Sequence, residues 1–218
     1  MTTPTHGTGE QHGAKEERLC LKGVHHSARP TWKLEETVHF YRDILGLPMV
    51  HAISARGWGT DPHPDFLHFF FDSGEGSLIA FFYYLGVEPS ADADRVRGRP
   101  WPQDFVFDAT HTAWHTSTLE ELECWKKRLE DKGIEVSATL AHEVLESIYF
   151  RDPNGYFLEI SRQLRPLQPI DATDAFNTIE TAIQLERERF AAGTRIKMID
   201  EVWKAKGDRL LNQLEMQA

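Results

Sequence analysis

The sequence predicts an α+β fold of two related halves, each reading strand, helix, then several strands, with a helical extension at the C-terminal end. Two observations predict it. An ordered internal repeat puts His26, Ala28 and Leu34 in register with His111, Ala113 and Leu119, and each set leads into a helical stretch that stops at a glycine. Beyond Pro166 the strand-like patterns give way to two long helical ones.

The first half opens on a strand around His26. Leu34, Val38, Tyr41 and Leu45 then recur at helical spacing, and Gly46 supplies the stop. Two strand-like runs follow, Asp65–Asp72 and Ser77–Leu85, joined by a glycine-containing turn. Val87–Gln103 carries Pro89, Pro100 and Pro102 among several charges and reads as a linker. The second half repeats the plan with a strand at His111 and a helix on the stripe Leu119, Leu122, Trp125 and Leu129, ending at Gly133. Thr118 and Glu121 have the spacing of a capping box at its start. Strands are expected over Ile134–Val136, Glu146–Arg151 and Gly155–Arg162, the last two joined by Asp152-Pro-Asn-Gly, a hairpin signal.

The extension, 166–218, is expected to hold helices over Asp171–Ala192 and Thr194–Lys206 with Gly193 between them. Phe176, Ile179, Ile183 and Phe190 form a stripe on the first, and Ile196, Ile199 and Trp203 on the second, which Leu210, Leu211 and Leu214 continue. Such stripes need cover from the core or from a second copy, so a homodimer is expected. Residues 1–18, rich in Thr, Gly, Glu, Gln and His, read as a disordered tail. The paired halves then occupy 19–165, as modules of about 19–86 and 103–165.

Composition narrows the function. The 218 residues are 40% hydrophobic and 27% charged, as in globular proteins. A net charge of −10 disfavours nucleic acid and anionic membranes as partners. The apolar run Ser77–Gly86 falls far short of the roughly 20 residues that span a bilayer. Cys20 and Cys124 form no C-x-x-C pair and are expected to be small core residues. A cytoplasmic setting fits this cysteine usage and the lack of a signal-peptide core near the N-terminus. No P-loop, dinucleotide or serine-hydrolase motif is present.

The chemistry concentrates on three residues. His26 and His111 occupy the same place in the two repeats. Alternation along Gly155–Arg162 puts Phe157, Glu159 and Ser161 on one face and the apolar Tyr156, Leu158 and Ile160 on the other. A carboxylate midway along a buried face is costly unless compensated. A divalent metal would compensate it, and two imidazoles with one carboxylate form a facial triad that leaves positions open. Taken singly, each could instead be a hydrogen-bonded core or surface residue.

His26-Ser-Ala with Leu34–Pro48 (LEETVHFYRDILGLP) resembles the opening of a vicinal oxygen chelate module, and Ser147–Glu159 (SIYFRDPNGYFLE) resembles the close of one. The resemblance implies paired βαβββ modules forming a cupped mixed sheet around a metal, held by first-strand histidines and a last-strand glutamate: His26, His111 and Glu159. The superfamily includes glyoxalases, epimerases, extradiol ring-cleaving dioxygenases, fosfomycin-resistance transferases and metal-free bleomycin-binding proteins. Ala80 falls opposite Glu159 in the repeat, where glyoxalase-type sites carry a fourth ligand. Three ligands resemble the extradiol dioxygenases, with iron(II) leading and manganese, zinc, nickel or cobalt as other candidates.

By the same resemblance Tyr149 would hydrogen-bond a substrate hydroxyl. The acid–base histidine of the ring-cleaving branch is replaced by Gly76-Ser77, which leaves His115, His68 and His142 as candidate proton carriers. His115 can equally be a hydrogen-bonded pocket residue. His25 is expected to face the helix layer, away from His26. Ala80, Phe82 and Phe157 are expected to line the pocket, favouring a small, aromatic substrate with vicinal oxygens, with dioxygen as co-substrate. A redox-neutral lyase or isomerase and a metal-free binding protein are the competing readings.

Overall fold

The computed structural model describes residues 23–57, 63–88 and 109–216. The predicted N-terminal tail, Cys20 and most of the predicted linker lie outside them. The chain divides into two compact units, Met1–Arg99 with Asp152–Gly155, and Pro100–Arg151 with Tyr156–Ala218.

The first unit contains β1 (His26–Pro30), α1 (Leu34–Val38), β2 (Met49–Ala55), β3 (Phe66–Asp72) and β4 (Leu78–Tyr84). Its sheet runs β1-β4-β3-β2, with β1 parallel to β4 and the other pairs antiparallel. The predicted helix over Leu34–Leu45 is not uniform. After Val38 it widens into a π-helical turn over His39–Ile44, and the Leu45 amide donates to the Phe40 carbonyl at 2.9 Å. The wider turn lets two adjacent pairs, Phe40–Tyr41 and Ile44–Leu45, all enter the core. Tyr41 lies 4.7 Å from the Phe81 ring and stacks on Phe71, so Phe69, Phe71, Ile79 and Phe81 face this helix. The alternate positions of the same strands, including His68, Phe70, Ala80 and Phe82, form the opposite face.

The Asp152–Gly155 turn belongs to this unit through a buried polar network. Thr31 Oγ1 donates to Asn154 Oδ1 at 2.8 Å, Asn154 Nδ2 donates to Thr37 Oγ1 at 2.9 Å, and the Tyr41 hydroxyl donates to Asp152 Oδ2 at 3.1 Å. Gly155 sits at φ 91°, the left-handed region for which the Asn-Gly pair is suited.

The second unit contains β5 (Thr112–Thr116), α2 (Leu119–Asp131), β6 (Leu140–His142), β7 (Leu145–Arg151), β8 (Phe157–Gln163), α3 (Pro169–Ala191) and α4 (Ile199–Glu215). Its sheet runs β5-β8-β7-β6, with β5 parallel to β8 and the rest antiparallel, the plan of the first sheet repeated. The protein is thus α+β, two βαβββ modules with C-terminal helices. The capping box forms: Thr118 Oγ1 accepts from the Glu121 amide at 3.1 Å, and Glu121 Oε2 accepts from the Thr118 amide at 3.2 Å. Leu122 and Leu129 are buried with Ile148, Phe150, Leu158 and Ile160.

Several expectations need correction. The strand predicted over Ile134–Val136 is a single bridge from Val136 to Phe150. Cys124 is exposed rather than in the core, because two helical positions carry it about 200° around from Leu122. The last helix begins at Ile199 rather than Thr194. Glu201 accepts from the amides of Lys197 and Met198, fixing the start there, and the helix continues through Gly207 because the leucine stripe beyond it is helical too. Among the described residues no helix is long and apolar enough to cross a membrane.

Candidate functional site

Backbone register shows how the repeat places its side chains. In the first sheet His26 pairs with Leu78 and Ala28 with Ala80. In the second, Thr112 pairs with Leu158 and Ala113 with Glu159. His111, one residue before Thr112, therefore stands to Glu159 as His26 stands to Ala80. Each module supplies an imidazole at the same rung, and only the second supplies a carboxylate beside it.

In the second unit that carboxylate is built into a compact polar group. Glu159 is 5% exposed. Its Oε2 lies 2.8 Å from His111 Nε2, and its Oε1 accepts from the Ser147 hydroxyl at 2.5 Å. Both contacts relieve the cost of burying an acid. The His111 side chain stays 31% exposed, so the pair is reachable from one side.

Tyr149 sits directly across the β7–β8 ladder from Glu159. Burial, reinforced by the nearby Glu159 charge, pushes its phenol above the usual tyrosine range, so it holds its proton at neutral pH. The phenol oxygen is 3.0 Å from His142 Nε2. The Tyr149 ring stacks on Phe157 at 5.2 Å, and the His111 ring meets both edge-on. Arg151 places its guanidinium 4.9 Å above Phe157. His115 pairs with Ser161, two residues beyond Glu159 on the same face, and is exposed.

The first unit puts different chemistry on the equivalent face. His26 has its Nδ1 2.8 Å from His25 Nδ1. The expectation that His25 faces the helix layer fails because β1 begins only at His26, so strand alternation does not govern His25. His26 also meets His68 and Phe70 edge-on, at 6.3 and 5.7 Å. His68 is buried, its Nδ1–H donates to the Phe81 carbonyl at 3.1 Å, and its ring lies flat on Phe82 at 3.7 Å. Burial lowers its pKa, with smaller contributions from His26 and His51. Ala80 is fully buried between Ala28 and Phe70.

Among the described residues no three His, Cys, Asp or Glu side chains are gathered closely enough to hold a metal by themselves. His111 and Glu159 nevertheless suit one. Two neighbouring ligands at right angles on an ion with bonds of about 2.1 Å place their donor atoms about 3.0 Å apart, and this pair stands at 2.8 Å. Neutral nitrogen with anionic oxygen is a donor set that fits iron, manganese and zinc. Sequence reasoning missed Ser147 and Arg151. Alternation from Tyr149 would have put both on the Glu159 face, the only signal available.

A family model described as the Glyoxalase/Bleomycin resistance protein/Dioxygenase superfamily matches residues 23–160. A manganese-dependent 2,3-dihydroxybiphenyl 1,2-dioxygenase of Geobacillus genomosp. 3 is 30% identical over 142 residues, 62% of this chain and 35% of that protein. A biphenyl-2,3-diol 1,2-dioxygenase 2 of Rhodococcus globerulus is 40% identical over 50 residues, 23% of this chain and 26% of that protein. The crystal structure of a lactoylglutathione lyase from Agrobacterium tumefaciens aligns with a TM-score of 0.43 at 20% identity, over 65% of this chain and 94% of that one. The matches span about a third or less of the length of these two dioxygenases.

Proposed function

The chain belongs to the glyoxalase/bleomycin resistance protein/dioxygenase superfamily, and on that premise we propose that it is a metal-dependent enzyme, an extradiol-type dioxygenase acting on a small aromatic substrate with adjacent oxygens. The observation that carries the proposal is the buried Glu159 carboxylate held 2.8 Å from His111 Nε2. His26, at the matching rung of the first module, is the proposed third ligand. Manganese or iron(II) is the proposed metal, manganese because the Geobacillus relative is named as dependent on it.

When bound, the metal would act as Lewis acid and template for the two substrate oxygens and dioxygen. The chain's own residues divide the remaining work. Ser147 fixes the rotamer of Glu159 by its hydrogen bond, so one carboxylate oxygen stays aimed at His111. Tyr149, protonated at neutral pH, donates a hydrogen bond to a substrate oxygen. His142 shares that phenol oxygen and can move a proton to or from it. His115, with its exposed ring on the same face, and His68 are the other proposed proton carriers. Phe157, stacked on Tyr149, is proposed to offer a flat apolar wall to an aromatic ring, and Phe82, stacked on His68, with Ala80 two residues before it, is the proposed apolar face of the first module.

A redox-neutral lyase or isomerase is the second reading, favoured by Gly76-Ser77 standing where the ring-cleaving branch has its acid–base histidine. The test is oxygen consumption by protein reconstituted anaerobically with Fe(II) or Mn(II) and given a series of catechols. The proposal expects stoichiometric metal and ring-cleavage chromophores with oxygen uptake. Metal retention with no oxygen uptake on any catechol supports the second reading. No retention of any divalent metal contradicts both.

A further inference from the structure

The contact between His25 and His26 has no imidazole counterpart in the second module, where Thr110 precedes His111. There His111 meets the Glu159 carboxylate. At the matching rung of the first module stands Ala80, whose methyl group offers an imidazole no hydrogen bond. His26 is met instead from the residue before it. Its Nδ1 lies 2.8 Å from His25 Nδ1, with the two rings nearly perpendicular at 83°. The segment carrying His25 is tied down by β4. The Leu78 amide donates to the His25 carbonyl at 3.0 Å, and the Ser77 hydroxyl donates to the Val24 carbonyl at 3.3 Å. His25 is thus held beside His26 by its backbone, although its ring is exposed.

We propose that His25 is a positioning residue for His26, holding it in the tautomer whose Nε2 lone pair is open to a divalent metal; this rests on the reading of His26 as a metal ligand. Two bare nitrogens 2.8 Å apart would repel, so one Nδ1 carries a proton and donates it to the other. His25, with its ring in water, keeps its proton on Nε2, the form that a neutral histidine side chain favours there, and accepts at Nδ1. The donor is then His26 Nδ1–H, and a neutral imidazole protonated at Nδ1 has its lone pair at Nε2. The reverse assignment would put the His26 proton on Nε2 and block that atom for any ion. Metal-ligating histidines almost always donate their second ring N–H to a fixed acceptor, and removing that acceptor costs about 10–100-fold in metal affinity. His25 supplies such an acceptor on the side of His26 away from Nε2.

The first arm of the test uses the metal-free full-length protein with isotope-labelled histidine side chains. Long-range nitrogen–proton correlation NMR is recorded at alkaline pH, where imidazoles are neutral. The His26 signals, identified by their loss in His26→Gln, are expected to show Nδ1–H and a bare Nε2. In His25→Phe the proton is expected to move to Nε2. In His25→Asn, whose Oδ1 stands where the His25 Nδ1 stood and still accepts, it is expected to stay on Nδ1. The second arm measures Mn(II) affinity by competition with a chelator. His25→Phe should weaken it about 10–100-fold, and His25→Asn should recover most of that loss. An Nε2–H tautomer in wild-type His26, or a proton that does not move in His25→Phe, overturns the proposal. So does unchanged affinity in His25→Phe, or an equal loss in both variants, which a direct ligand role for His25 would give. The expected tautomer in a protein that binds no Mn(II) overturns the metal reading and the positioning role with it, whereas the wrong tautomer overturns the proposal alone.

Discussion

The two sheets of this protein share strand order, pairing sense and register, yet one carries an acid–imidazole pair and the other a stack of rings. At the rung where β8 has Glu159, β4 has Ala80. Around Glu159 the neighbours are Ser147, His111 and Tyr149, each able to meet a charge or a polar atom. Around Ala80 they are Ala28, Phe70 and Phe82, with His26 at the rung of His111 and His68 stacked on Phe82, its Nδ1 bonded to backbone. The scaffold is indifferent to which set it holds. Chemistry is decided by one strand position and by the partners the adjacent strand brings to it.

The sharpest way to break this comparison is to give the first sheet the second sheet's acid. Ala80→Glu would bury a carboxylate beside Phe70, with His26 at the rung of His111 but, where β7 has the Ser147 hydroxyl, the His68 ring stacked on Phe82 and bonded to backbone. A loss of about 3–5 kcal/mol is expected, read from urea unfolding. A stable Ala80→Glu variant would mean that His26 compensates the new acid without a hydroxyl in the place of Ser147. Asn154→Ala comes next. It leaves Thr31 and Thr37 without their shared amide in a buried network and should cost about 2 kcal/mol in the same assay.

Ser147→Ala sharpens the comparison from the other side. It removes the hydroxyl that orients Glu159 and leaves the proposed ligand in place, so divalent-metal affinity should fall about 10–100-fold, measured by competition with a chelator. The smallest effect is pH-dependent. Burial holds the folded-state pKa of His68 below its unfolded value near 6.5, so the unfolded chain takes up a proton first as pH falls. Stability should therefore decline on acidification from the unfolded pKa toward the depressed folded one and be fully present above it. His68→Phe should flatten that slope by less than about 1 kcal/mol, checked by unfolding at pH 7.5 and pH 5.5.

What was legible in the sequence follows from periodicity. The repeat anchored on His26 and His111 gave the two-module plan, and alternation along β8 put Glu159 on the polar face and Leu158 in the core. The capping box before α2 reads directly because its partners lie three residues apart. The missed elements lack such local signals. β2 (MVHAISA) is largely exposed, and β6 is three exposed residues held by pairing with β7, so neither carries an apolar rhythm. The π-helical turn at His39–Ile44 shows itself only once Phe40, Tyr41, Ile44 and Leu45 must all be buried against the same sheet. Ser147 was missed for a related reason: alternation from Tyr149 places it on the Glu159 face, but its contact with Glu159 comes from cross-strand register with β8, which is tertiary information.

The most direct measurement is the divalent-metal content of the wild-type protein beside that of Glu159→Ala, by mass spectrometry after equilibration with Mn(II) or Fe(II). The account predicts close to one equivalent in the wild type, and in the variant a loss of more than about 100-fold in affinity with an unchanged circular dichroism spectrum. Equal metal content in the two proteins would contradict it.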